Sequence, residues 1–169
     1  LLLFSNPHNP AGRVWTREEL RQLGDICIRH HVVVLSDEIH SDLVYDDFTH
    51  VPFASLGKAY AKTSITFSSP SKTFNLAGLQ VAYFFTENAS FRSRTRAILT
   101  KREMTMLNVF AIDSLIVAYE KGEPWLEELK KYLHDNYVYL TDFCQKHLPL
   151  LTVIPLQSTY LVWLDARTL

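Results

Sequence analysis

Apolar positions along the chain fall into two rhythms. Short, largely apolar runs occur at residues 2–4, 32–35, 64–67 and 81–85. Runs without alternation, β-branched at Val32, Val33 and Val34, predict strands covered on both faces. Between the first two runs, Leu20, Leu23, Ile26 and Cys27 recur at helical spacing. Thr16 stands before this segment and Glu19 follows three residues on, a capping-box pattern. The helix is expected to fade at His30 and His31. A helix joining two strands in this way makes them parallel neighbours, or nearly so. The link from the third run to the fourth is too short for a crossover helix, which predicts an antiparallel pair there. Residues 5–15 read as a loop with two prolines, residues 68–79 as a loop of mixed character, and Asp46 and Asp47 as part of a polar loop.

The second half is helical. Segments are predicted at residues 90–104, 108–121 and 124–147. The first carries Arg92, Arg94, Arg96, Lys101 and Arg102, a solvated basic face. The second closes at Gly122 with Pro124 beyond it, a common helix stop. The third has an apolar stripe of Trp125, Leu126, Leu129, Leu133, Tyr137 and Leu140, read as core. Two more strands are expected at residues 152–154 and 160–164, opening a second, smaller domain. The predicted class is α/β, divided into residues 1–122 and 123–169.

Composition narrows the function classes. Of 169 residues, 47% are hydrophobic and 21% charged, with a net charge of −1. That excludes a disordered or low-complexity chain. It gives no basic excess for nucleic acid or an anionic membrane surface. No stretch approaches the ~18 apolar residues of a membrane span. Five glycines, none spaced as G-x-G, leave no Gly-rich phosphate loop. Cys27 and Cys144 form neither a disulfide framework nor a zinc set and read as buried free thiols of a cytosolic protein. The chain starts at Leu1 in an apolar run and ends just after a strand, so a piece of a longer chain is expected.

Three polar clusters each follow a predicted strand at its carboxyl end. They are Ser5-Asn-Pro-His-Asn-Pro-Ala-Gly12, Ser36-Asp-Glu-Ile-His40 and Ser68-Ser-Pro-Ser-Lys72. Ligands of open α/β sheets bind at that edge, and the third cluster joins it if its strand is parallel. Two prolines stiffen the first cluster and aim the Asn9 amide. A carboxylate after an apolar strand, Asp37, is expected to be buried and to face a fixed cation. Lys72 lies among the hydroxyls of Ser69, Ser71 and Thr73, where a lysine can serve as an amine nucleophile. Taken singly, each has a plainer reading: a structural turn, a helix cap or surface ion pair, and a solvated lysine. His40 with Asp37 or Glu38 lacks the second ligand pair of a metal site, so no metal is expected. Ser69-Pro-Ser-Lys72 also matches S-x-x-K of penicillin-binding enzymes, but their later S-D-N and K-T-G are missing.

Taken together and in this order, the three clusters resemble the class I/II aminotransferase family, fold-type I enzymes dependent on pyridoxal 5′-phosphate. Finer detail is similar to the cystathionine β-lyase (C–S lyase) branch: Gly12-Arg-Val-Trp15, His40 where most aminotransferases carry Tyr, and Ser71-Lys-Thr-Phe-Asn-Leu-Ala-Gly-Leu-Gln80. The resemblance implies that Lys72 holds the cofactor as a Schiff base and moves the substrate Cα proton. It implies that Asp37 pairs with the ring nitrogen, Asn9 bonds the ring 3-oxygen, His40 lies near that oxygen and Ser69 touches the phosphate. Gln80 stands where aminotransferases carry a phosphate-binding Arg, which speaks against a standard aspartate-type transaminase. The implied reaction is β-elimination of thiol, ammonia and pyruvate from a cysteine conjugate. The alternatives are a transaminase and a non-catalytic effector domain of a transcription regulator. The family implies a cytoplasmic homodimer acting on a small amino acid, more than twice this length. With half a cofactor pocket, the segment alone is expected to be inactive.

Overall fold

The computed structural model describes residues 1–45 and 47–169. Asp46 of the expected polar loop lies outside the described residues. Strands β1 (Leu2–Ser5), β2 (Val34–Asp37), β3 (Ser64–Ser68) and β4 (Tyr83–Phe85) form one sheet in that order. The first three are parallel, and β4 runs antiparallel to β3. All three polar clusters therefore do leave the same edge. The sheet is mixed and the class α/β, as expected.

Helix α1 (Arg17–Arg29) starts with the predicted capping box between Thr16 and Glu19. Its Leu20 and Cys27 sit under the sheet with Phe4, Val34 and Phe53. Burying a side chain such as Leu20 fully contributes about 1.5–3 kcal/mol. The second strand starts two residues later than expected. Val32 N–H still donates to the Cys27 carbonyl at 2.8 Å, so Val32 closes the helix end rather than entering the sheet.

Two elements went unread in the sequence: a 3₁₀ turn at Phe53–Leu56 and helix α2 (Lys58–Thr63). The expected loop at 68–79 contains a single helical turn, α3 (Pro70–Thr73), and a 3₁₀ turn at Ala77–Leu79.

Helices α4 (Ala89–Lys101), α5 (Ala111–Lys121) and α6 (Glu123–His147) match the predicted segments. The basic residues of α4 are exposed, as expected. Gly122 between α5 and α6 has φ −84°, so it is not a left-handed cap. It is there for room: a Cβ would stand 2.4 Å from Phe74 Cε1. On α6 the stripe is half-buried except Trp125, which is exposed and lies against Phe74. Cys27 and Cys144 are buried and free.

The last two strands, β5 (Thr152–Val153) and β6 (Leu164–Asp165), pair antiparallel in a second small sheet. The strand expected from residue 160 begins only at Leu164. Thr159 has φ 68°, which breaks an extended run. Residues 157–159 bond instead to the first half of the chain. Gln157 N–H and Ser158 N–H donate to the Gly12 carbonyl, Thr159 N–H donates to Leu43, and the Gln157 carbonyl accepts from Tyr45 N–H. Gly12 permits this approach. It has φ +65°, and a Cβ there would lie 2.7 Å from Leu156 Cδ1.

Candidate functional site

Alternation along the strands sorts the sheet into two faces. Leu2, Phe4, Val34 and Ser36 turn toward α1, while Leu3, Ser5, Leu35 and Asp37 turn away. The outward face forms a cleft of about 540 Å³. Leu3 and Leu35 line its apolar floor, and Ser5, Asp37, Ser69 and Ala82 stand toward the carboxyl edge of the strands.

Asp37 is exposed, not buried as expected from the sequence. Its carboxylate opens into the cleft. Its Oδ1 accepts from Ile39 N–H at 3.2 Å. The buried carboxylate is the next one. Glu38 Oε1 accepts from Ser36 Oγ at 2.9 Å and from Phe53 N–H at 3.0 Å, and Oε2 meets His50 Nε2 at 2.9 Å. Glu38 thus anchors the strand end while Asp37 stays available. Period-2 alternation carries this signal, which the sequence reading of Asp37 as the buried acid passed over. No His, Cys, Asp and Glu cluster able to hold a metal is present among the described residues.

His40 is 2% exposed, and neither ring nitrogen has a hydrogen-bond partner among the described residues. Burial pushes its pKa below the usual histidine value, the positive charge of Lys72 pushes the same way, and Asp37 opposes them. The imidazole is thereby favoured in its neutral form. The same charges put Asp37 and Lys72 each within electrostatic reach of His40. Tyr160 meets the His40 ring edge-on, with centroids 5.6 Å apart. This neighbour from the chain's last segment was not foreseen.

Lys72 is half-buried on α3. Ser69 caps that turn by accepting from Ser71 N–H at 3.0 Å, and its hydroxyl donates to the Val81 carbonyl at 2.6 Å. Ser69 therefore both lines the cleft and closes the loop behind it. Asn9 is exposed at the tip of its loop, with its backbone N–H donating to Ser5 Oγ at 3.3 Å. The bonds 6–7 and 9–10 are both cis. Gln80 is exposed in left-handed conformation, two residues before Ala82 of the cleft. The structure thus brings Asp37, Ser69, His40 and Lys72 to one edge; Asn9 and Gln80 stand at its exposed margin.

The family model described as aminotransferase class I and II matches residues 1–169. Cystathionine beta-lyase PatB of Bacillus subtilis is 43% identical over 165 residues, covering 98% of this chain and 43% of its own. A PLP-bound aminotransferase candidate of Clostridium difficile superposes with a TM-score of 0.96 at 38% identity, covering 98% of this chain and 43% of its own. A PLP-bound C–S lyase of Staphylococcus hominis gives 0.87 at 41% identity, covering 96% and 40%. The chain spans less than half the length of each relative.

Proposed function

We propose, from the premise that this chain belongs to the class I and II aminotransferase family, that its whole protein is a pyridoxal phosphate-dependent C–S β-lyase. The observation carrying this reading is the placement of Asp37, the buried His40 and Lys72 at the carboxyl edge of three parallel strands, beside a cleft. The residues present fit the cofactor. Two buried, unpartnered nitrogens on His40 call for a hydrogen-bonding group beside them, because buried polar atoms in native proteins are nearly always paired.

When bound, pyridoxal phosphate supplies an electron sink for charge developing at a substrate Cα. The chain supplies the rest. Asp37 would pair with the ring nitrogen and keep a proton there. His40 and Asn9 would hydrogen-bond the ring oxygen, and Ser69 and Gln80 would serve the phosphate end. The Lys72 amine would anchor the cofactor and is the group that would take a substrate Cα proton. Loss of the β-thiolate followed by hydrolysis gives thiol, pyruvate and ammonia from a cysteine conjugate. His40 and Gln80 at two positions where aminotransferases differ, together with the lyase relatives, favour elimination over amino transfer.

Transamination is the second reading, favoured by the aminotransferase candidate at TM-score 0.96. Incubating the full-length protein with L-cystathionine decides between them. Pyruvate and free thiol in equal amounts are expected. Amino transfer to a keto acid without either product would overturn the lyase reading.

Residues 1–122 are read as part of the cofactor-binding domain and 123–169 as the linking helix and start of a small domain. The separate two-stranded sheet supports this division. A homodimer is part of the proposal, supported by the exposed apolar side chains of Ile98, Met106, Val109 and Phe110. Two buried free thiols support a cytoplasmic setting. No helix is long and apolar enough to cross a membrane among the described residues.

A further inference from the structure

We propose that Asp42 and Thr73 form a cross-tie that sets the spacing between the two halves of the cofactor site, with Asp42 a positioning residue for Lys72. The proposal rests on the cofactor reading above. It concerns two residues to which neither the motifs nor the cofactor chemistry gives a role.

Lys72 sits in a helix of four residues. One turn does not hold itself in water, because helix nucleation is unfavourable, on the order of 10⁻³. The direction of Lys72 therefore depends on ties to the rest of the molecule. Ser69 supplies one at the start of the turn, through Val81. Phe74 supplies one just past its end, packed against Gly122 and edge-on to Tyr119. The third comes from Thr73, the residue after Lys72. Thr73 is fully buried, and its Oγ1 donates to Asp42 Oδ2 at 2.8 Å.

The place of Asp42 gives this bond its meaning. Asp42 follows His40 by two residues and Asp37 by five, on the same stretch leaving β2. A single hydrogen bond thus joins the stretch that carries the carboxylate and imidazole to the turn that carries the amine. A threonine hydroxyl in a helix usually turns back to its own backbone. Here it crosses to an ionised acceptor, and charge-assisted bonds are about twice as strong as neutral ones.

Two tyrosines also stand near this tie. The Tyr119 and Tyr83 hydroxyls lie 3.2 Å apart. Burial, the Tyr83 contact and the negative charge of Asp42 all push the Tyr119 phenol well above its usual range. The phenol beside the carboxylate stays protonated, so it adds no second negative charge near the tie.

The test uses the full-length protein, in wild-type form and as Thr73→Val, Asp42→Ala, the double variant and Thr73→Ser. Three quantities are measured: pyridoxal phosphate affinity, the kcat and KM for L-cystathionine, and the rate at which an amine-reactive reagent labels Lys72 in the cofactor-free protein. Thr73→Val is nearly isosteric, so it reads the tie even if Asp42→Ala does not fold. Each single break is expected to weaken cofactor binding about tenfold, the size of one lost hydrogen bond to a charged group. Lys72 labelling is expected to change while labelling of exposed Lys62 does not. The expected kinetic signature is a fall in kcat with KM moving less. The double variant is expected to be no worse than the worse single, since both break one interaction. Thr73→Ser is expected to restore wild-type values. Unchanged affinity and Lys72 labelling in Thr73→Val, with wild type binding the cofactor through Lys72, would overturn the cross-tie alone. A wild-type protein that does not bind the cofactor through Lys72 would overturn the cofactor reading and the cross-tie with it.

Discussion

The two faces of the main sheet have the same backbone and opposite fates. Toward α1, Leu20, Val34 and Phe53 are fully buried. On the other face, Leu3 is 76% exposed, and the strand ends open into the cleft. The adjacent carboxylates Asp37 and Glu38 show the difference at one peptide bond. Glu38 turns inward, and both of its oxygens have partners. Asp37 turns outward and lines the cleft. One face secures the strand end and the other opens it to the cleft, so under the proposed function stability and chemistry fall to separate residues one position apart.

The sharpest way to break this comparison is to change the two acids in turn. Glu38→Ala leaves His50, Ser36 and Phe53 N–H without their acceptor. It is expected to cost at least about 3 kcal/mol, because several buried donors each lose their acceptor at about 1–3 kcal/mol. Asp37→Asn is expected to change stability by less than about 0.5 kcal/mol, as for exposed sites, yet to abolish turnover. Urea unfolding of both variants in the full-length protein reads the stability term. Equal losses would mean that the two faces are not divided in labour.

A smaller effect tests the link between the first loop and the last segment. Gly12→Ala places a Cβ against Leu156 at a left-handed φ. A cost of about 1–3 kcal/mol is expected from strain of this kind. The unfolding midpoint measures it. No change would mean that residues 156–158 do not pack on the Asn9 loop.

The smallest effect concerns pH. His40 has its pKa lowered in the fold, mainly by burial. Below the unfolded value of about 6.5, the unfolded chain takes a proton that the folded chain refuses. Stability of the cofactor-free protein is therefore fully present above that value and lost as pH falls toward the lowered one. The slope is at most about 1.4 kcal/mol per pH unit. Comparing wild type with His40→Gln at pH 7.5 and pH 5.5 isolates it. The variant is expected to lose the part of the slope due to His40.

Much of this was legible in the sequence. The capping box at Thr16 and Glu19 is a local pattern, and it formed as written. The parallel first pair and the antiparallel last pair followed from linker lengths, while the parallel pairing of β2 with β3, which brings the third cluster to the same edge, is seen only in the structure. Burial was harder to read. Asp37 was expected inside because the strand before it is apolar, but an apolar strand does not say which of its faces is covered. Short elements were hidden for a related reason. Helix α3 is fixed by Ser69, Thr73 and Phe74 reaching distant partners, and no periodicity shows in four residues. The strand expected from Tyr160 gave way because residues 157–159 found backbone partners at Gly12 and Leu43. Pairings of that separation leave no mark in local pattern.

The central claim is that the edge bearing Asp37, His40 and Lys72 holds pyridoxal phosphate through Lys72. Borohydride reduction of the full-length protein loaded with the cofactor, followed by peptide mass analysis, tests it most directly. The account predicts a single phosphopyridoxyl group on the peptide containing Lys72, absent from Lys72→Ala. A stoichiometric adduct on any other lysine, or none at all, would contradict it.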